Sequence, residues 1–230
     1  MFYYNYYGPE YLLVILALII TLGAQFYINS KYKKTRKIMT KKGLKGFEIA
    51  RKILDKNGLK DVKVEETQGI LSDHYDPRGK VVRLSSGIYG RSTVASAAVA
   101  AHECGHAIQD KNKYTFLRLR NTIIPIVNLS STAGYIAIVI GIIAKAAGII
   151  MIGIVFELII LLFQIITLPV EFNASRRGLE QLKDLKLLEA DELKAGKSML
   201  NAAALTYVAS VASTLLQIAR LLLLINRNKR

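Results

Sequence analysis

The chain has 230 residues, 52% of them hydrophobic, with a single cysteine and a formal net charge of +15 at pH 7. One cysteine excludes an intrachain disulfide and a cysteine-based zinc knuckle. The charge invites a nucleic-acid partner, but seven Lys/Arg crowd into residues 31–42 straight after an apolar run, with no acid among them and no interleaved RNA-binding aromatic motif. That is the distribution of a segment lying against anionic lipid, so the bilayer, and not nucleic acid, is the expected partner.

Residues 11–28 form an uncharged apolar run of 18 residues, close to the minimum for a membrane span. It lacks a basic segment before it and a small-residue cleavage site after it, so it reads as an uncleaved anchor. Five of the twelve tyrosines precede or open this run, where ring and hydroxyl can face different media. Residues 1–10 carry no Lys or Arg, so the basic cluster at 31–42 should hold the following part of the chain in the cytoplasm.

From residue 43 the pattern becomes that of a folded polar domain. Gly46, Phe47, Ile49, Ala50, Ile53 and Leu54 recur at helical spacing, and Asn57-Gly58 closes that helix. Residues 62–66 alternate like a strand, Asp76-Pro77-Arg78-Gly79 has turn chemistry, and residues 80–84 read as a second strand. That second strand is the expected edge on which an extended substrate would pair. A helix follows at about 92–109, with Ser92 as the expected N-cap.

The apolar tract at 123–168 contains 46 residues. As one helix it would reach roughly 69 Å, more than twice the bilayer core, so two antiparallel spans turning near Lys145 are expected. Glu157 is an acid within the second of them, with Arg220 as a candidate partner. Polar composition returns at 169–198, with a charged helical stretch from Glu171 to Lys197. The last membrane helix, expected at 200–225, carries a polar stripe of Thr206, Ser210, Ser213, Gln217 and Arg220. The fold class is therefore a mainly α membrane protein. Transmembrane helices at 11–28, 123–168 and 200–225 accompany a small α+β domain assembled from 43–120 and 169–198, with a short hairpin or sheet.

The chemistry is concentrated in Ala101-His102-Glu103-Cys104-Gly105-His106. Histidines four apart share a helix face, so His102 and His106 can ligate one zinc ion, and Glu103 stands where a carboxylate can take a proton from the attacking water. A third protein ligand is needed. Glu171, the first acid after the membrane hairpin, and His74, the remaining histidine, are both candidates, ahead of Glu180, Asp184 and Glu189 on a Lys-rich face. His74 or Tyr75 could instead stabilise the oxyanion of a tetrahedral intermediate, with Asp73 and Asp76 ordering their turn. Cys104 reads as a small residue filling space in the helix.

The segments LSDHYDP, VRLS, AAHECGHAIQ, LPVEFNAS and ALTYVA, in this order, resemble the YugP-type membrane zinc metallopeptidases of bacteria, and the likeness runs over essentially the whole chain. The layout is similar, more broadly, to the HtpX-type and CAAX-prenyl-protease membrane metallopeptidases. The resemblance implies a zincin-like domain, one zinc ion on His102, His106 and Glu171, and Glu103 as general base. In the HtpX-type pattern an Asp often stands four residues after the ligand Glu, whereas this chain has Ser175 there. The expected function is hydrolysis of protein or peptide substrates at the cytoplasmic face of the cell membrane. A site-2-type intramembrane protease and a non-catalytic membrane scaffold with a structural zinc site are the alternatives.

Overall fold

A computed structural model describes residues 8–228. Expectations resting on Tyr3, Tyr4, Tyr6, Tyr7, Lys229 and Arg230 fall outside those residues. In chain order the elements are α1 (Pro9–Thr35), α2 (Gly46–Lys56), β1 (Lys63–Thr67), β2 (His74–Asp76), β3 (Val81–Ser85), α3 (Ser86–Tyr89), α4 (Val94–Lys111), α5 (Thr115–Ile143), α6 (Ala147–Asp184) and α7 (Ala190–Asn228). The chain divides into two compact units, one of Met1–Gln25, Leu119–Leu168 and Thr206–Arg230, the other of Phe26–Arg118 and Pro169–Leu205.

The first unit is apolar. α1, α5, α6 and α7 are each long and apolar enough to cross a membrane. α5 and α6 form the expected hairpin, turning at Lys145, whose φ of 52° reverses the chain. Its packing is built from aliphatic side chains, with Ile138, Ile150, Ile154, Ile218, Leu221 and Ile225 buried together. Along α7, Ser213 Oγ lies 2.9 Å from Thr21 Oγ1 of α1, so part of the polar stripe meets protein. Arg227 donates to the carboxylate of Glu10, which is buried. Arg220 does not pair with Glu157: its guanidinium donates to Gln217 on its own helix (3.1 Å), and no ion pair among the described residues includes Glu157. A hydrogen bond to a neighbour three residues back satisfies Arg220 without matching its depth to an acid on another helix.

The second unit is built around α4. Fourteen of its eighteen residues are buried. Alanine dominates its sequence, giving strong helix propensity and a slim profile that lets neighbours approach from every side. α2 lays Ile49, Ala50, Ile53 and Leu54 on one flank, β3 adds Val82 and Leu84, and α6 adds Leu182. Cys104 is fully buried in this core with Sγ 3.6 Å from Ala50 O, and burial raises its thiol pKa, as suits an inert space-filler.

Three local expectations change. The N-cap of α4 is Thr93, whose Oγ1 accepts from Ser96 N (3.1 Å), because the Ser92 carbonyl is drawn off to the Thr40 amide (2.8 Å). The charged stretch from Glu171 to Lys197 is broken after Asp184. Lys186 takes a φ of 51°, and α7 starts ten residues before the expected helix, with Glu192 accepting from the amides of Glu189 (2.7 Å) and Lys41 (2.6 Å). Third, residues 80–84 do not form an edge. The sheet order is β1-β3-β2, with β3 parallel to β1 and antiparallel to β2, so both of its edges are paired. The run of buried residues in β3 is the mark of a central strand covered on both faces. The short β2, read from sequence as a polar turn, supplies the second partner.

Candidate metal centre

Why Glu171 reaches the two histidines follows from how α4 and α6 cross. A Cβ on Gly105 would stand 2.3 Å from Ala174 O, and one on Gly178 would stand 2.5 Å from Ala101 O. Only hydrogen fits at either place, so the two backbones run in contact over about one helical turn. Gln109, one turn beyond Gly105, continues the contact by donating from Nε2 to Val170 O (2.8 Å). Pro169 precedes this stretch without breaking α6. Glu171 is thereby held against the face of α4 that carries His102 and His106.

The ligating atoms of His102, His106 and Glu171 all lie within 4.8 Å of one another. Glu171 Oε2 is 3.4 Å from His102 Nε2 and 3.8 Å from His106 Nε2. Two ligands on one zinc ion, each about 2.1 Å away at a tetrahedral angle, stand about 3.4 Å apart, so the cluster could hold such an ion with little movement. Two imidazoles and a carboxylate are also the donor set that leaves a fourth position open. Glu171 and His106 are buried, and His102 is only slightly exposed.

Each imidazole turns its other nitrogen to a fixed partner. His106 Nδ1 lies 3.0 Å from Gln109 Oε1, which is acceptor-only, so Nδ1 carries the proton and Nε2 is the nitrogen that could bind a metal. Gln109 is fully buried, and its amide also donates to Asn173 Oδ1 (3.0 Å), which in turn accepts from Arg177 Nε (2.7 Å). His102 Nδ1 lies 3.0 Å from Ser175 Oγ. The serine that departs from the HtpX-type pattern therefore occupies the place of an orienting carboxylate and can accept the same N–H, though without a charge. The sequence alone assigns no role to Gln109 or Asn173. The available signal was spacing, since Gln109 is three residues after His106 on the same helix face.

Glu103 is almost fully buried beside these groups. Burial pushes its carboxyl pKa up to about 7, with His102 pulling it down and Glu171 adding to the rise. A bound cation would lower it again. In the metal-free protein a carboxyl poised near neutrality can take up and release a proton around pH 7.

The structure does not bring His74 into the cluster. His74 is exposed on β2, with Nδ1 2.8 Å from Ser72 O and Nε2 3.4 Å from Arg83 Nη1. Arg83 itself is shared between Asp76 (3.2 Å) and Glu65 (3.5 Å). Tyr75 points to the opposite face of the strand, where its hydroxyl donates to Asp110 Oδ2 on α4 (2.8 Å). Asp73 fastens the start of β2 to the end of β3, accepting from Ser85 N (2.7 Å) and Ser85 Oγ (3.1 Å). Its burial raises its pKa.

Comparison with known proteins places the chain in a family. Residues 10–226 match the family described as "Putative neutral zinc metallopeptidase". The chain belongs to that family. It is also 40% identical over 212 residues to a Bacillus subtilis (strain 168) protein named "Putative membrane protease YugP", an alignment covering 92% of this chain and 94% of that relative. No solved structure matches it. Membership in this family and the four apolar helices make the chain a membrane protein of the zinc metallopeptidase class.

Proposed function

We propose that this protein is a zinc-dependent membrane endopeptidase in which His102, His106 and Glu171 hold the metal and Glu103 is the general base. The observation that carries the reading is the convergence of the three ligating atoms within 4.8 Å, beside a buried carboxyl. Zinc, when bound, would polarise the scissile carbonyl and make a water more acidic. Glu103 accepts the proton of the attacking water and delivers it to the departing amine, so that the amine leaves neutral. Gln109 and Ser175 hold the His106 and His102 rings so that both Nε2 atoms stay aimed at the metal position. His74, on the strand β2 that packs against α4, is the proposed N–H donor to the oxyanion of the tetrahedral intermediate. The site works at the cytoplasmic face of the cell membrane, a reading supported by the basic cluster at 31–42.

The test is cleavage of a mixed peptide library by the purified full chain in detergent. Products should appear with zinc, vanish with a chelator, return on zinc addition, and be absent from Glu103→Gln. His74→Ala should lower kcat and leave KM near the wild-type value. Cleavage that persists through chelation would remove the zinc mechanism.

A further inference from the structure

A groove of about 650 Å³ runs between the outer part of α6 and the first part of α7, entirely within the second unit. Its lining changes character along its length. At one end stand Pro169, Phe172 and Ala204, all within four residues of the apolar segments of their helices. Further out Leu179 and Leu193 line it, among Arg176, Glu180, Lys183 and Lys197. Glu180 is engaged by Arg176 (3.0 Å), while neither Lys183 nor Lys197 has a carboxylate at ion-pair distance among the described residues. Three cations against one acid leave the outer half with two unbalanced positive charges. Between the two halves lies Ser175, the residue whose hydroxyl touches His102.

We propose that this groove is a substrate-anchoring subsite for an extended peptide segment that carries an acidic residue beside apolar ones. The proposal rests on the peptidase reading above and names the class of substrate that the site prefers. Fourteen residues of helix separate Pro169 from Lys183, roughly 21 Å at about 1.5 Å per residue, which matches about six residues of extended peptide at about 3.3 Å each. The apolar positions bury side chains against Phe172, Leu179 and Leu193, and Lys183 and Lys197 meet the acid. Because Ser175 lines the same groove, a segment seated there is held next to a ligand-bearing histidine, which shortens the search for the scissile bond. The spacing favours peptide over lipid. The outermost cation is about 21 Å along the helix from the apolar end, whereas a phospholipid keeps its charge within a few ångströms of its chains.

The experiment compares the wild-type chain with a Lys183→Glu/Lys197→Glu double variant, both in detergent, on a mixed-sequence peptide library read by mass spectrometry. Wild type should favour peptides with Asp or Glu within about six residues of the cleaved bond. The double variant should reverse that preference toward Lys or Arg, with KM for an acidic peptide rising about tenfold. The same sequence preference in both proteins would overturn the proposal. A parallel measurement does not depend on turnover. Fluorescence anisotropy on the Glu103→Gln protein should show tighter binding of an acidic-apolar peptide than of its basic counterpart, an order inverted by adding the two lysine changes. Absence of cleavage combined with this inversion would sink the peptidase reading and keep the subsite. Tighter binding of phosphatidylglycerol than of either peptide, lost with the lysine changes, would give the groove to lipid and overturn the proposal.

Discussion

Gln109 Oε1 lies 3.0 Å from His106 Nδ1, and the same amide donates across to Val170 O, the residue before Glu171. One buried side chain thus orients one proposed ligand, on α4, and fixes the backbone that carries another, on α6. Gln109→Met keeps the volume and removes both links, so zinc affinity should fall by about 10–100-fold. Ser175→Ala removes one neutral hydrogen bond to His102 and should cost less. Competition with a chelating dye measures both. Wild-type affinity in Gln109→Met would show that the ring is held by packing alone.

The close crossing of α4 and α6 gives a second expectation. In Gly105→Ala the new methyl meets Ala174 O at 2.3 Å, a backbone atom that cannot rotate away. The helices must separate, costing about 1–3 kcal/mol and moving Glu171 off the histidines. Gly148→Ala is the control, because nothing lies within 4 Å of its Cβ position. Thermal melting in detergent, with zinc content measured in parallel, should show loss of both in Gly105→Ala and neither in the control.

Glu103 makes the metal-free protein sensitive to pH. Its folded pKa of about 7 exceeds the ordinary 4.5 because of burial. Between those values the unfolded chain releases a proton that the folded protein retains. Stability therefore falls as pH rises from about 4.5 to about 7, by at most on the order of 3 kcal/mol, and the cost is fully present above that window. Chelator-treated wild type should melt higher at pH 5.5 than at pH 8, with this difference reduced in Glu103→Gln. An equal difference in both proteins would assign the pH dependence to other groups.

Much of this was legible in the sequence because the relevant signals are local. The spans follow from uninterrupted apolar runs, and the helical pairing of His102 with His106 follows from a four-residue step. Glu171 could be nominated because the chain has few acids at the right place, but its position depends on Gly105 and Gly178, whose meaning is visible only when two backbones touch. β2 was missed because three polar residues, His74–Asp76, show no alternation strong enough to announce a strand. Without it β3 looked like an edge. The start of α7 was misjudged because its first turns are charged and only their carboxylate contacts with Glu189 and Lys41 fix them as one helix with the apolar segment.

The apolar unit carries a topological prediction. The basic cluster at 31–42 favours the cytoplasm, and four spans return the C-terminus to the side of the N-terminus, outside. The contact of Arg227 with buried Glu10 offsets one positive charge at that otherwise disfavoured location. A reporter fused near Lys111 should read cytoplasmic and one at the C-terminus external. The opposite pair of readings would put the site on the outer face.

Zinc counted by mass spectrometry on purified variants tests the central assignment most directly. Wild type and Glu103→Gln should each hold close to one zinc per chain, the latter without hydrolysis, because in the proposed mechanism the carboxylate lost is the base and not a ligand. His102→Ala, His106→Ala and Glu171→Ala should each lose most of the metal. Full zinc in Glu171→Ala together with depleted zinc in His74→Ala would contradict the account and move the third ligand to β2.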